Sequence, residues 1–313
     1  MTERVRNPII PGNPRERTGS SGILRRAVAE INRRWRGLQV EVLAVFARVP
    51  LYQSNEDDKG SETLPAVRYG ATAQTLDQTA RDLDAALARW IAAGREAEYV
   101  AWWDVYQGEA QQLGTAQAVA NLTNLSAAYA STRTLQTVVY SAPYRLRADL
   151  ARNISLEHWT GLKGDARAKL MGIVGRAVVD GKNPKAVRTE IMEALKVSKS
   201  RAELYAQTEI TGTLRAARWA EDDAAEVELG VRTVELWTSA FLPTTRASHG
   251  ARHGKTFTRE EVKAFYSVNG NKFRCHCAQS AALIDVNDKP ILTDQLKRSM
   301  AKEQRVWESK QKR

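Results

Sequence analysis

Apolar residues early in the chain recur at three- and four-residue intervals: Ile23, Leu24, Val28, Ile31, Trp35, Leu38, Val42 and Val45, with arginines filling the positions between. That period places them on one stripe and predicts an amphipathic helix over residues 23–49 with a basic opposite face. The polar run 53–67, holding Gly60 and Pro65, predicts a connector. Stretches rich in Ala and straight-chain residues predict helices over about 73–93, 95–113 and 116–139, a run that Pro143 breaks. A helix over 144–150 and another over 163–180, stopped at Gly181, come next. Residues 180–226 then predict three consecutive helices. Asn183 and Pro184 suit the start of the first, Ser198 suits the cap of one starting at Lys199, and Gly212 marks a close contact in the third. Gly230 ends the helical part.

Beyond Gly230 the period changes from helical to alternating. Residues 231–240 are enriched in β-branched and aromatic side chains and predict a strand. A short helix is expected within 241–254, with Thr244 or Thr245 as cap and Gly254 as stop. Thr258 with Glu261 three residues on is a capping box opening a second short helix, and 277–286 can return as a strand. The fold class is therefore mainly α with a small α+β C-terminal domain and a long N-terminal helical region. The expected divisions are an extended basic arm over 1–22, a helical region over 23–142, a second region over 143–290 (helices to about 229, a small α+β part over 231–290) and a basic tail over 291–313.

The chain of 313 residues is long enough for two such regions. Its formal net charge of +11 concentrates at the ends: ten arginines and no lysine lie between Arg4 and Arg48, and seven basic residues face two acidic ones from Leu296 to Arg313. Basic ends suit a polyanionic neighbour such as double-stranded DNA, bound without sequence preference, and Arg25, Arg26, Arg33, Arg34 and Arg36 are the candidate contacts. Solvated helix faces and a frayed tail explain the same charges. No apolar run approaches the length that spans a bilayer, so no membrane association is expected, and the polar N-terminus lacks the apolar core of a secretory signal. The aromatics Trp90, Trp102, Trp103 and Tyr106 follow helical spacing and read as a packing cluster rather than a base-stacking platform.

Both cysteines and three of the four histidines fall in "HGARHG" (249–254) and "FRCHC" (273–277). His249 and His253, four apart, share a face if helical, and Cys275 and Cys277 point the same way if extended. Two imidazoles and two thiolates make a shell that suits structural zinc, with His276 in reserve. The alternatives are buried, inert thiols with hydrogen-bonded histidines, or a strained Cys275–Cys277 disulfide. Catalytic readings fare worse. Gly250, Ala251 and Arg252 stand between the histidines where a zinc-protease helix carries its glutamate. Ser248 and His249 are adjacent and point apart on a helix. Lone His158 reads as a packed residue, and Glu209 as a partner of Arg215 or Arg218 across a bundle.

"SRAELYAQTEITGTLRAARWAE", then "WTSAFLPTTRASHGARHGKTFT", then "FYSVNGNKFRCHC" resembles the Mu F-like family of tailed-phage minor head, or head morphogenesis, proteins. The matching positions are Thr208, Glu209, Trp237, Arg246, His249, His253, Gly254, Cys275 and Cys277, over about residues 145–285. Gln207 stands where the family often has arginine, and Phe273 and Arg274 where Pro and Asn are usual. The resemblance implies a non-enzymatic, low-copy virion component at the portal vertex or head interior, assembled in the host cytoplasm. It implies portal and major capsid or scaffolding proteins as partners, and a part in head assembly and in genome packaging or ejection. The competing readings are a zinc-dependent nuclease or hydrolase acting on nucleic acid and a cellular DNA-binding protein, though no helix-turn-helix signature is present.

Overall fold

The computed structural model describes residues 5–53, 67–92 and 100–311. Most of the expected connector, the start of the helix expected from Arg95, the first four arm residues and the last two of the tail lie outside these. In chain order the elements are α1 (Ser21–Ala47), β1 (Leu51–Gln53), β2 (Val67–Tyr69), α2 (Ala73–Trp90), α3 (Ala101–Leu125), α4 (Ala127–Thr132), α5 (Leu135–Val139), α6 (Ala142–Asp180) and α7 (Pro184–Leu229), followed by β3 (Thr233–Thr238), α8 (Ala247–Gly250), β4 (Thr256–Phe257), α9 (Arg259–Ser267), β5 (Ala278–Leu283) and α10 (Asp294–Gln311). The chain is mainly helical, with a small antiparallel sheet of order β4-β3-β5 in its C-terminal part.

Several helix boundaries differ from the expected ones. The two helices expected over 144–180 are one, α6, because no proline interrupts 151–162 and Pro143 sits in the first turn, where its missing N–H costs nothing. Three helices expected over 180–226 are likewise one, α7: the stripe Val187, Ile191, Leu195, Ala202, Ala206, Ile210 and Leu214 stays buried throughout. Ser198 is therefore a buried mid-helix residue and caps nothing. The helix expected over 116–139 is broken instead, because Ser126 and Thr134 each turn a side-chain oxygen to a backbone N–H three residues on and start α4 and α5. The basic tail is helical, as α10, over all its described residues from Asp294.

The chain divides into two compact units. One comprises Arg26–Trp102 and Arg152–Ala206. Its core gathers Ile31, Trp35, Leu38 and Val42 of α1, Leu83 and Leu87 of α2, Trp159, Leu162 and Leu170 of α6, and Ile191 and Leu195 of α7. Trp102 meets the Trp159 ring edge-on at 4.8 Å, and the Arg34 guanidinium lies 4.5 Å over Trp102. The Trp90 indole donates to Glu41, and the His158 ring stacks on Tyr205. In this unit the highlighted aromatics are packing groups.

The other unit comprises Met1–Arg25, Trp103–Ala151 and Gln207–Arg313. Its centre is β3, buried on both faces rather than half-exposed as alternation suggests. On one face Trp237 packs with Val262 and Tyr266 of α9, Trp219 of α7 and both cysteines. On the other Leu236 packs with Ala282 of β5, Met300 and Leu296 of α10, and Ile10 of the N-terminal arm. The arm, without helix or strand over its described residues 5–20, is docked by hydrogen bonds. Ile9 N–H donates to Asn121 Oδ1, whose amide donates to Ala281 O, and Ser280 Oγ donates back to Ile9 O. Arg17, only 3 % exposed, donates to Pro11 O and pairs with Glu303 of α10 at 2.5 Å.

Beneath the sheet lies a buried charged group. Arg259, the first residue of α9, bonds Asp223, Glu226 and Thr233 Oγ1. Glu235 is 1 % exposed, and burial pushes its carboxyl up to about 7 against the lowering effect of Arg259 and Arg218. An acid that holds its proton more tightly when folded costs stability as the pH climbs from its unfolded value, near 4.5, to about 7. Urea denaturation between pH 5 and 8 should therefore show wild-type stability falling with pH more steeply than that of Glu235→Gln. Parallel pH profiles would contradict this.

Candidate metal centre

The Trp237 strand and the turn after it form a closed backbone pair. Trp237 N–H donates to Lys255 O and Gly254 N–H to Trp237 O, each at 2.9 Å. Gly254 adopts φ 73°, which suits glycine, and so ends the segment where expected. The helix before it is a single turn, and its N-cap is Arg246. Thr245 instead turns its hydroxyl to Ala240 O and accepts from Leu242 N–H, which folds the 240–245 loop. Gly250 is needed for space: a Cβ there would stand 2.3 Å from the Trp307 ring of α10.

This folding turns His249 inward against Phe265 and Trp237. Its Nδ1 lies 3.4 Å from Cys275 Sγ and 3.8 Å from Cys277 Sγ, and all three residues are at most 3 % exposed. Among the described residues these three form the one group with His, Cys or carboxylate donors close enough to hold a metal ion. A tetrahedral zinc bound by thiolates and imidazole has donor–donor edges of about 3.5–3.8 Å, so the donor set and its spacing fit that ion. His249 Nε2 faces Asn271 Oδ1 at 3.4 Å, and the Asn271 amide is fixed by donating to Phe265 O. That outer contact keeps Nδ1 toward the sulfurs, the orienting role such partners play around metal-bound histidines.

The electrostatics favour thiolate at Cys275 and thiol at Cys277. Burial pushes Cys275 up, but the Cys277 thiol, the Arg215 guanidinium and the His249 ring outweigh it and hold Cys275 well below the usual thiol range. Cys277, hydrogen-bonded to Cys275 and equally buried, is pushed well above it. Both cysteines are free thiols, not a disulfide.

His253 is not brought to this group. With α8 ending at Gly250, the four-residue spacing does not align the two imidazoles; His253 Nδ1 accepts from Ser239 N–H at 3.0 Å and its ring packs on Phe241. Burial, helped by Arg17, lowers its pKa to about 4, so the ring is neutral and its 3.6 Å approach to Glu303 is not an ion pair at neutral pH. His276 is not part of the donor group either; its Nε2 meets the Gln207 amide at 2.6 Å. Ser248 is exposed while His249 is buried, so they form no nucleophile–base pair.

Comparison with family models matches residues 169–280 to the family described as Phage Mu protein F like protein. That match supports a Mu F-like phage head morphogenesis protein. Comparisons with curated proteins and with solved structures gave no match.

The Mu F-like motif residues are committed to internal bonds. Arg246 donates to three carbonyls, Gly270 O at 2.9 Å, Asn271 O at 3.1 Å and Phe273 O at 2.7 Å. Glu209 accepts from the Trp103 indole at 2.6 Å, while Arg215 donates to Cys275 O and Cys277 O and Arg218 to Gln279 O. Thr208 is a half-buried residue of α7. Asn271, Arg215 and Tyr266, whose hydroxyl lies 3.4 Å from Cys275 Sγ, belong to the centre and were not foreseen, since no spacing rule links them to it. Nor was Arg252, whose guanidinium lies 3.9 Å over Phe265 and 4.3 Å over Phe257. Of the arginines on α1, Arg25, Arg26, Arg33 and Arg36 are exposed, and Arg33 and Arg34 both pair with Glu30.

Arg246→Lys keeps the charge but loses the fork that reaches three carbonyls. It should cost about 1–3 kcal/mol and speed hydrogen exchange at the Asn271 and Phe273 amides, which close the turns of this loop. Unchanged exchange there would show that Arg246 does not hold the loop.

Proposed function

We propose that this protein is a low-copy, non-catalytic minor head component that associates with the portal, assists head assembly and genome packaging or ejection, and uses a zinc ion to pin its C-terminal part. The Mu F-like match over 169–280 carries this reading. The commitment of the matched motif residues to internal bonds supports it, because a docking unit needs a rigid surface and no turnover. The zinc would be held by His249, Cys275 and Cys277, joining α8 to the segment before β5, and would supply structural cross-linking. Exposed Arg25, Arg26 and Arg36, with Arg298, Lys302 and Arg305 on one face of α10, offer phosphate contacts without sequence preference. No helix of the described residues is long and apolar enough to cross a membrane.

The zinc-dependent nuclease or hydrolase reading draws on one observation, a set of three protein ligands rather than four. Against it, the cavity beside the centre is lined by no Asp or Glu that could serve as general base.

Mixing the purified chain with the portal protein of the same phage should give a co-eluting complex on size exclusion, and the chain alone should leave DNA intact. Separate elution together with zinc-dependent DNA cleavage would overturn the structural reading. Elemental analysis should find about one zinc per chain, lost in Cys275→Ser/Cys277→Ser and in His249→Ala but kept in His253→Ala. Loss in His253→Ala with full retention in His249→Ala would contradict the ligand set.

A further inference from the structure

A cavity of about 30 Å³ borders the candidate centre, and His249, Cys275 and Cys277 all line it. That is room for one or two small molecules of water size. Its remaining walls include Ala240, Thr244, Thr245, Arg246, Arg274 and His276. Among the described residues no fourth His, Cys or carboxylate donor joins the three. Of the two other histidines of the region, His253 is turned onto Ser239 N–H, while His276 lines the cavity with its Nε2 held by the Gln207 amide.

Resting on the zinc reading above, we propose that the metal keeps one coordination position open to the cavity and that this position takes a small anionic donor from outside the chain. The preference for an anion follows from charge. A divalent ion with two thiolates is neutral, while Arg246 and Arg274 line the cavity and Arg215 bonds the carbonyls of both cysteines. No acidic side chain lines the cavity to offset them. Tetrahedral zinc with three protein ligands leaves one position for solvent or an added ligand, whereas a purely structural centre closes it with a fourth side chain. The size of the cavity limits the donor to a few atoms, such as hydroxide, azide or the tip of a carboxylate.

Cobalt(II) substituted into the full-length protein reports the point directly. Thiolate-to-cobalt charge-transfer bands count the sulfurs, and the d–d bands report the geometry and identity of the remaining ligands. The expected result is one cobalt per chain with thiolate bands, and d–d bands that shift saturably on adding azide but need far more neutral imidazole. Arg274→Gly, which suits the backbone there (φ 50°), should leave cobalt bound and weaken azide about threefold or more. Thiolate bands with d–d bands that saturating azide leaves unchanged would overturn the open position while sparing the zinc reading. Absence of thiolate bands would overturn both, and equal affinity for imidazole and azide would overturn the anionic preference.

Discussion

Between Gly270 and Gln279 the chain is neither helix nor paired strand for most of its length, yet much of it is buried, so its carbonyl oxygens need donors from elsewhere. Three arginines supply them: Arg246 to Gly270, Asn271 and Phe273, Arg215 to Cys275 and Cys277, and Arg218 to Gln279. A buried carbonyl without a donor costs about 1–3 kcal/mol, so this requirement governs which residues can surround the loop. Each guanidinium is anchored on a rigid element, α7 or the N-cap of α8. The consequence is a fixed Cys-x-Cys backbone that faces His249 at the spacing a metal ion needs.

The second constraint is that both faces of β3 must be covered. One face is closed by α7, α9 and the cysteine loop, all of which lie within the matched residues 169–280. The other is closed by Ile10 of the arm and by Leu296 and Met300 of α10, which lie outside the matched residues 169–280. The arm also reaches the loop itself, since Arg17 N–H donates to His276 O between the two cysteines. Thus the ends, whose charge suggests contact with a polyanion, also complete the sheet's packing. Arg17 illustrates the division: it is a basic residue of the arm, yet it is buried against Pro11 and Glu303 and has no access to phosphate.

Much of this fold was legible because it rests on local rules. The Thr258–Glu261 capping box, the positive-φ stops at Gly230 and Gly254, and the alternation through Trp237 each depend on residues close in the chain. The helices that run on past their expected ends share one cause: Ser198 and the residues around Ile154 look like breaks locally, while the buried stripe across them keeps α6 and α7 continuous. Three of the four proposed ligands fall together and His253 does not. Spacing of four predicts a common face only if the helix persists, and here Trp307 packing on Gly250 and Ser239 capturing the His253 ring follow a different path. Arg215 and Asn271 escaped notice because their importance comes from distant carbonyl and ring contacts, which a linear pattern does not encode.

The central claim is that His249, Cys275 and Cys277 act together on one ion. X-ray absorption at the zinc edge of the purified protein tests it most directly. Two sulfurs at about 2.3 Å with two nitrogen or oxygen donors at about 2.0–2.1 Å would match the arrangement. A shell of nitrogen and oxygen alone, or with a single sulfur, would contradict it.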